Sequence, residues 1–204
     1  MSVTCGLFKG TGEEAIIYWK KLANIGSIGA QKNLAVCYLN GTYVTPDINE
    51  SIKYFTLAAE AGDVKSQYNL GCIYFQDTYV PHDNTIAVKW FILAGTSGDT
   101  TSQYNLGVYY YDQKNYTEAV KWYRLAAEAG FAEAQLNLGT CYVEGHGVEK
   151  NPEEAFNWCK KAVETGSSKA MFRLGSYYSN GFGTPVDVVR GIQWITRGAT
   201  IMKN

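Results

Sequence analysis

The chain has 204 residues, of which 46% are hydrophobic and 18% charged. That length can bury a sizeable core, and the composition is far from the low-hydrophobicity, high-charge profile of disordered chains. Eighteen Lys and Arg against 19 Asp and Glu leave a formal charge of −1, with no tract of four basic residues, so sequence-independent binding of nucleic acid or an anionic membrane lacks an electrostatic basis.

Met1 to Ala15 holds no basic segment followed by an apolar stretch of signal-peptide length, and no apolar run approaches the roughly 20 residues needed to cross a bilayer. The five cysteines (Cys5, Cys37, Cys72, Cys141, Cys159) form no CxxC pair, and their odd number leaves one thiol over within a monomer. A reducing cytoplasm is therefore the expected compartment, with export by a route that reads no Sec signal left open. Further along, a first column of residues recurs: Leu34, Leu70, Leu106, Leu138 and Leu174, spaced 36, 36, 32 and 36 residues apart. All but the first are followed by Gly, and each has a Tyr four positions on, at 38, 74, 110, 142 and 178. A second column follows each time, at Ser51/Tyr54/Ala58, Ala87/Trp90/Ala94, Ala119/Trp122/Ala126, Ala155/Trp158/Ala162 and Gly191/Trp194/Gly198, with helical offsets. Two helical patterns per repeat of this length predict helix hairpins stacked into a solenoid, because one hairpin cannot bury its own apolar face.

The pattern A-x-x-x-L-G-x-x-Y, a Gly-containing loop, then A-x-x-W-x-x-x-A-A-x-x-x-G resembles the Sel-one-like repeat (SLR) family, relatives of the tetratricopeptide repeat. The resemblance implies an all-α protein, a right-handed α/α superhelix of antiparallel hairpins. It spans residues 1–204 as one domain, with a degenerate half-repeat at about 6–26 and repeats at about 30–62, 66–98, 102–130, 134–166 and 170–202. The loop signature G-x-G stands at Gly145-His146-Gly147 and Gly181-Phe182-Gly183, whereas Gly41-Thr42-Tyr43 and Asp77-Thr78-Tyr79 depart from it.

The glycines at 71, 107, 139 and 175 lie inside predicted helices, which suggests an approach too close for a Cβ, and Ala35 fills the same slot. The Tyr column should be core, packed on the second helix of its own hairpin. Gly26, Gly62, Gly98, Gly130 and Gly166 mark helix ends, and Ser27, Asp63, Asp99 and Ser167 cap the next helix, with Phe131 as the exception. Pro46, Pro81, Pro152 and Pro185 are placed between the helices of a hairpin. The third hairpin lacks four loop residues, so Gln113-Lys114-Asn115 should form a tight turn and leave the core intact. Gly6–Gly12 reads as the end of a degenerate first helix, and the last helix, with Gly198 where Ala is usual, has no polar capping helix after it, so the ends are candidates for self-association.

Convergent chemistry is hard to find. His82 and His146 lie in loops without metal-ligand spacing and are expected to be solvent-exposed. Certain relatives have been linked to penicillin binding and β-lactam turnover, but Ser-x-x-Lys, Ser-Asp-Asn, Lys-Thr-Gly, Walker and HExxH motifs are all missing from this sequence. Glu13/Glu14 and Glu153/Glu154 open second helices and suit the helix dipole. Lys53, Lys89 and Lys121 read as a solvated outer face. Cys141 and Cys159 are the one pair within a repeat; some relatives bridge such a pair, but the other repeats here lack it. No catalytic residue, metal or cofactor is assigned.

By the same resemblance, first helices line the concave face. Their ladder two before the Leu is Lys32, Tyr68, Tyr104, Leu136 and Phe172, and the residues after the Tyr include Phe75, Tyr111 and Asp112. Immediately before the Leu stand Asn33, Asn69, Asn105 and Asn137, giving way to Arg173. Asn offers donor and acceptor together and can grip a peptide backbone, and Arg173 can meet an acidic group; the competing reading is that these side chains tie neighbouring helices together. The expected function is a non-enzymatic adaptor that binds an extended segment of a protein partner, with no nucleic acid and no membrane insertion. Two alternatives stand beside it: a hydrolase of cell-wall or β-lactam-like substrates, and an end-to-end assembly element.

Overall fold

The computed structural model describes residues 11–202. Of the stretch Gly6–Gly12 read as the end of a degenerate first helix, residues 6–10 lie outside the described residues, as does Cys5, and Thr11 and Gly12 are the N-cap and first residue of the first described helix. All secondary structure elements among the described residues are α-helices, and the chain divides into two compact units at Asp99/Thr100. The first unit holds α1 (Gly12–Asn24), α2 (Ile28–Asn40), α3 (Ile48–Glu60), α4 (Val64–Phe75) and α5 (Asn84–Thr96). The second holds α6 (Thr100–Asp112), α7 (Tyr116–Glu128), α8 (Ala132–Glu144), α9 (Pro152–Glu164), α10 (Ser168–Asn180) and α11 (Val188–Ile201). Within each unit every helix packs chiefly on its sequence neighbours, as stacked hairpins require.

The joints between hairpins explain the sharp helix ends. In α1, α3 and α7 the residue after the glycine donates its N–H back to a carbonyl in the last turn, as in Ser27 to Leu22 at 3.0 Å, Asp63 to Ala58 at 3.0 Å and Phe131 to Ala126 at 2.9 Å. This closure needs a left-handed residue, and Gly26, Gly62 and Gly130 supply it at φ of 87° to 90°. The same residue then caps the next helix: Ser27 accepts from Ala30 N–H, Asp63 from Ser66 N–H and Ser167 from Ala170 N–H, while Phe131 makes no side-chain cap. Three residues thus end one helix and start another.

Inside each unit the Leu column is the most deeply buried, with Leu34, Leu70, Leu106, Leu138 and Leu174 at most 2% exposed. Each such side chain contributes about 1.5–3 kcal/mol by burial. A second, polar column lies three residues earlier. Buried Gln31, Gln67 and Gln135 each donate Nε2 to a carbonyl in the last turn of the preceding helix, Ala23, Ala59 and Ala127, at 3.4, 3.1 and 2.9 Å. Met171 holds that place in the fifth repeat.

The Tyr column is less buried than expected. Only Tyr38 is buried; Tyr74, Tyr110, Tyr142 and Tyr178 are half-buried. Tyr38 stacks on Tyr54 of its own hairpin at 6.0 Å, whereas Tyr142 accepts from Arg124 at 2.8 Å and Tyr178 meets Phe156 edge-on at 5.2 Å, both on the preceding second helix. Their backbones do the constant work: the carbonyls of Tyr38, Tyr74, Tyr110, Tyr142 and Tyr178 accept the N–H of Asp47, Asp83, Asn115, Asn151 and Asp187, the N-cap residues of the second helices, at 2.8–3.0 Å. The third hairpin keeps this bond across its short turn, with Lys114 left-handed at φ 59° and Leu106 fully buried. Pro152 does not lie between helices; it is the first residue of α9, where a missing N–H is harmless.

The helical glycines fall into two kinds. A Cβ at Gly71 or Gly107 would enter the ring of Phe91 or Tyr123, and at Gly175 it would meet the backbone of Gly191. Gly139 is different, because a Cβ there would sit 3.4 Å from the Ala155 carbonyl oxygen, an ordinary contact. Gly139→Ala should therefore stabilise the protein by up to about 1 kcal/mol through helix propensity. Gly107→Ala should destabilise it by about 1–3 kcal/mol through overpacking. Thermal denaturation of the two variants checks both signs, and equal destabilisation would show that the Gly139 slot is closed.

Candidate functional site

The first-helix positions singled out by the sequence gather in two recesses, one in each unit. In the first, Asn33 of α2 and Asn69 of α4 line a cavity of about 270 Å³ with Gly29, Lys32, Val36, Phe55 and Lys65. The 36-residue period brings the two amides to one wall, and among the described residues neither amide has a hydrogen-bond partner. Lys32 reaches across to Asp63 at 3.0 Å. Burial raises the Asp63 carboxyl, but hydrogen bonds from Ser66 and Lys32 outweigh it and hold the group below its ordinary value. Lys65 is exposed and has no acidic partner among the described residues, so the recess combines amide groups with positive charge.

In the second unit, Tyr104, Val108, Tyr111, Asp112, Tyr123, Asn137 and Thr140 line a cavity of about 290 Å³. Tyr104 and Tyr111 of α6 converge on Tyr123 of α7, with centroids 6.2 and 6.4 Å away. Tyr123 is the ring that Gly107 makes room for. Asn137 of α8 lies beside the hydroxyls of Tyr104 and Tyr123 on the wall of this recess. Burial pushes the phenols of Tyr104, Tyr111 and Tyr123 above their ordinary value, and nearby Glu133, Glu144 and Asp112 push in the same direction.

The remaining candidates are dispersed. Tyr68 and exposed Phe75 repeat the Tyr104/Tyr111 arrangement, converging on Phe91 at 6.2 and 6.0 Å. Burial, then hydrogen bonding to Cys72, raises Tyr68 to about 12. Asn105 is half-buried on α6 and lines neither recess. Phe172 lies over Gly198 of α11. Arg173 donates to the Leu136 carbonyl at 3.0 Å and the Thr140 hydroxyl at 2.8 Å, bracing α10 against α8. Leu136, placed on the groove ladder by its register, is instead 3% exposed and part of the core.

Sequence reasoning missed Lys65, Phe91 and Tyr123. The aromatic following each Trp, in Trp90-Phe91 and Trp122-Tyr123, was the available signal. It also misplaced His146, which is half-buried: its ring stacks on Tyr116 at 4.1 Å and its Nδ1 lies 2.9 Å from the Tyr111 hydroxyl. His82 is exposed, with Nδ1 2.7 Å from the Phe75 carbonyl oxygen. Among the described residues no group of three or more His, Cys, Asp or Glu could hold a metal ion, and no helix is long and apolar enough to cross a membrane.

The Sel1 repeat matches residues 28–63, 64–99, 100–131, 132–167 and 168–200. The chain belongs to the Sel1 repeat family. Among solved structures, this Sel1 repeat chain is similar to c5321, a protective antigen of uropathogenic Escherichia coli displaying an SLR fold, at 30% identity and a TM-score of 0.76. That match covers 91% of this chain and 40% of c5321, so the chain spans less than half the length of that relative. A Sel1 repeat protein from Oxalobacter formigenes is similar at 27% identity and a TM-score of 0.75, covering 95% of this chain and 84% of that one. The immunity protein Pa5087 from Pseudomonas aeruginosa, at 20% identity and a TM-score of 0.51, covers 93% of this chain and 74% of its own and shares the fold alone. No curated protein matches the chain.

Cys141 and Cys159 are buried free thiols that belong to different apolar clusters, and Cys159 donates to the Ala170 carbonyl at 3.4 Å. Burial raises them to about 11 and about 12, so the reactive thiolate is scarce at pH 8. Both should resist alkylation by iodoacetamide in the native protein and react on denaturation; peptide mapping that found either one rapidly modified in native conditions would contradict this burial.

Proposed function

We propose that this Sel1 repeat protein is a non-enzymatic adaptor that holds an extended segment of a partner protein against the first helices of its repeats. Sel1 repeat proteins generally serve as protein–protein interaction scaffolds, and the observation that carries the finer reading is the recess of the first unit. There, two half-buried amides one repeat apart are left without partners beside an exposed lysine. An amide that is already partly desolvated and held by a helix can donate to and accept from a peptide backbone at small entropic cost. Asn69 sits next to fully buried Leu70, which fixes its position.

The reading is tested by panning a random peptide library against the full chain and measuring enriched peptides by fluorescence anisotropy. The Asn33→Ala/Asn69→Ala variant should lose about tenfold or more in affinity, about 1.4 kcal/mol, with unchanged helicity by circular dichroism. Unaltered affinity would remove both amides from the site, and loss of helicity would return them to a structural role.

A further inference from the structure

The recess of the second unit differs in chemistry from that of the first. Its walls are three tyrosine rings, Tyr104, Tyr111 and Tyr123, and its only charged lining group is the exposed carboxylate of Asp112. Aromatic faces carry negative potential and attract cations within about 6 Å of the ring centre. The charges felt by the three hydroxyls are all acidic, from Glu133 on α8 at Tyr104, Glu144 on α8 at Tyr111, and Asp112 on α6 at Tyr111 and Tyr123. Arg173 of α10 already spends its guanidinium on the Thr140 hydroxyl at 2.8 Å and the Leu136 carbonyl at 3.0 Å.

The floor is also preorganised. Phe131 packs at a tilt against Tyr104 with centroids 5.0 Å apart, His146 meets the Tyr111 hydroxyl at 2.9 Å, and Tyr123 is 2% exposed with its ring over Gly107. None of the three rings can swing away without breaking one of these contacts. A volume of about 290 Å³ is large enough for the end of a long side chain and small for a folded element.

We infer that this recess is a cation-accepting pocket that seats a lysine or arginine side chain of a partner's extended segment among Tyr104, Tyr111 and Tyr123, with Asp112 as the counter-charge. The inference rests on the peptide-adaptor reading for its ligand and adds the chemistry of one anchor residue. In the homologous recess of the first unit, Lys32 and Lys65 reverse the charge, so the two sites select different residues.

The test is titration of the isotope-labelled full chain, followed by NMR, with blocked lysine, blocked arginine and blocked glutamate, and with a decapeptide containing Lys and Arg. Both cationic amino acids should give saturable shifts at the amides of Tyr104, Val108 and Thr140, and the glutamate none. The decapeptide should bind at least about tenfold more tightly than either single residue. Asp112→Asn, an exposed change that leaves the fold alone, should weaken binding several-fold and flatten its salt dependence. Tyr111→Leu should weaken it about three- to tenfold.

Shifts that do not saturate, or equal binding of the glutamate, overturn the pocket. A decapeptide no tighter than the free residues overturns a protein segment as its occupant in favour of a small cation. The Asn33→Ala/Asn69→Ala variant should still take up both blocked cations, so failure of the amide site and failure of the aromatic pocket are read separately.

Discussion

A helix hairpin of this chain cannot cover the outer face of its own second helix. Phe55, Tyr123 and Cys159 sit at the same register on α3, α7 and α9, each at most 2% exposed where that helix packs against the first helices of its own and of the next hairpin. Everything else within a unit follows from that requirement. The Leu column must enter the seam, the glutamine three residues before it must close the carbonyls of the previous helix end, and the joint between hairpins must turn in three residues. The residue before each Leu, Asn in four repeats and Arg173 in the fifth, is then delivered to another face of the first helix, at one residue per repeat, without any loop having to place it.

The helices, their pairing and their ends were legible because they depend on local rules. Periodicity finds the Leu and Trp columns, and the Gly-then-Ser/Asp joint has one backbone solution. The Tyr column was placed in the core because its spacing is right, but spacing does not report depth: Tyr142 leans toward the previous hairpin, and Tyr178 touches both Phe156 of the previous hairpin and Arg190 of its own. Gly139 was grouped with Gly107 because the letters agree; what distinguishes them is the neighbour an added Cβ would meet, the Ala155 carbonyl oxygen at 3.4 Å rather than the Tyr123 ring. His146 looked like a loop residue and is one, yet the short third hairpin brings Tyr116 beneath it.

The candidate residues were legible as ladders and not as sites. Asn33, Asn69, Asn105 and Asn137 are equivalent in sequence, but two line one recess, one lines neither, and one lies among the tyrosines of the other recess. That outcome depends on the second-helix residue facing each Asn and on the first residue of the next helix, which lie in different repeats. A one-dimensional pattern carries the register of such positions but not their neighbours. The opposite charges of the two recesses emerge in the same way, from Lys65 in one and Asp112 in the other, neither of which belongs to the consensus.

The carbonyl bond from each Tyr to the following N-cap has a consequence for how such a chain varies. It spans nine residues in four hairpins and five in the third, yet its length stays within 2.8–3.0 Å. The joint between hairpins has no such latitude, since its three residues each hold a required backbone role. Length changes are therefore absorbed at one rim of a repeat, and whole hairpins can be gained or lost by unequal recombination at the joints without altering the seams they leave behind. Diversity of the protruding loops and constancy of the first-helix face are, on this account, independent coordinates for natural variation.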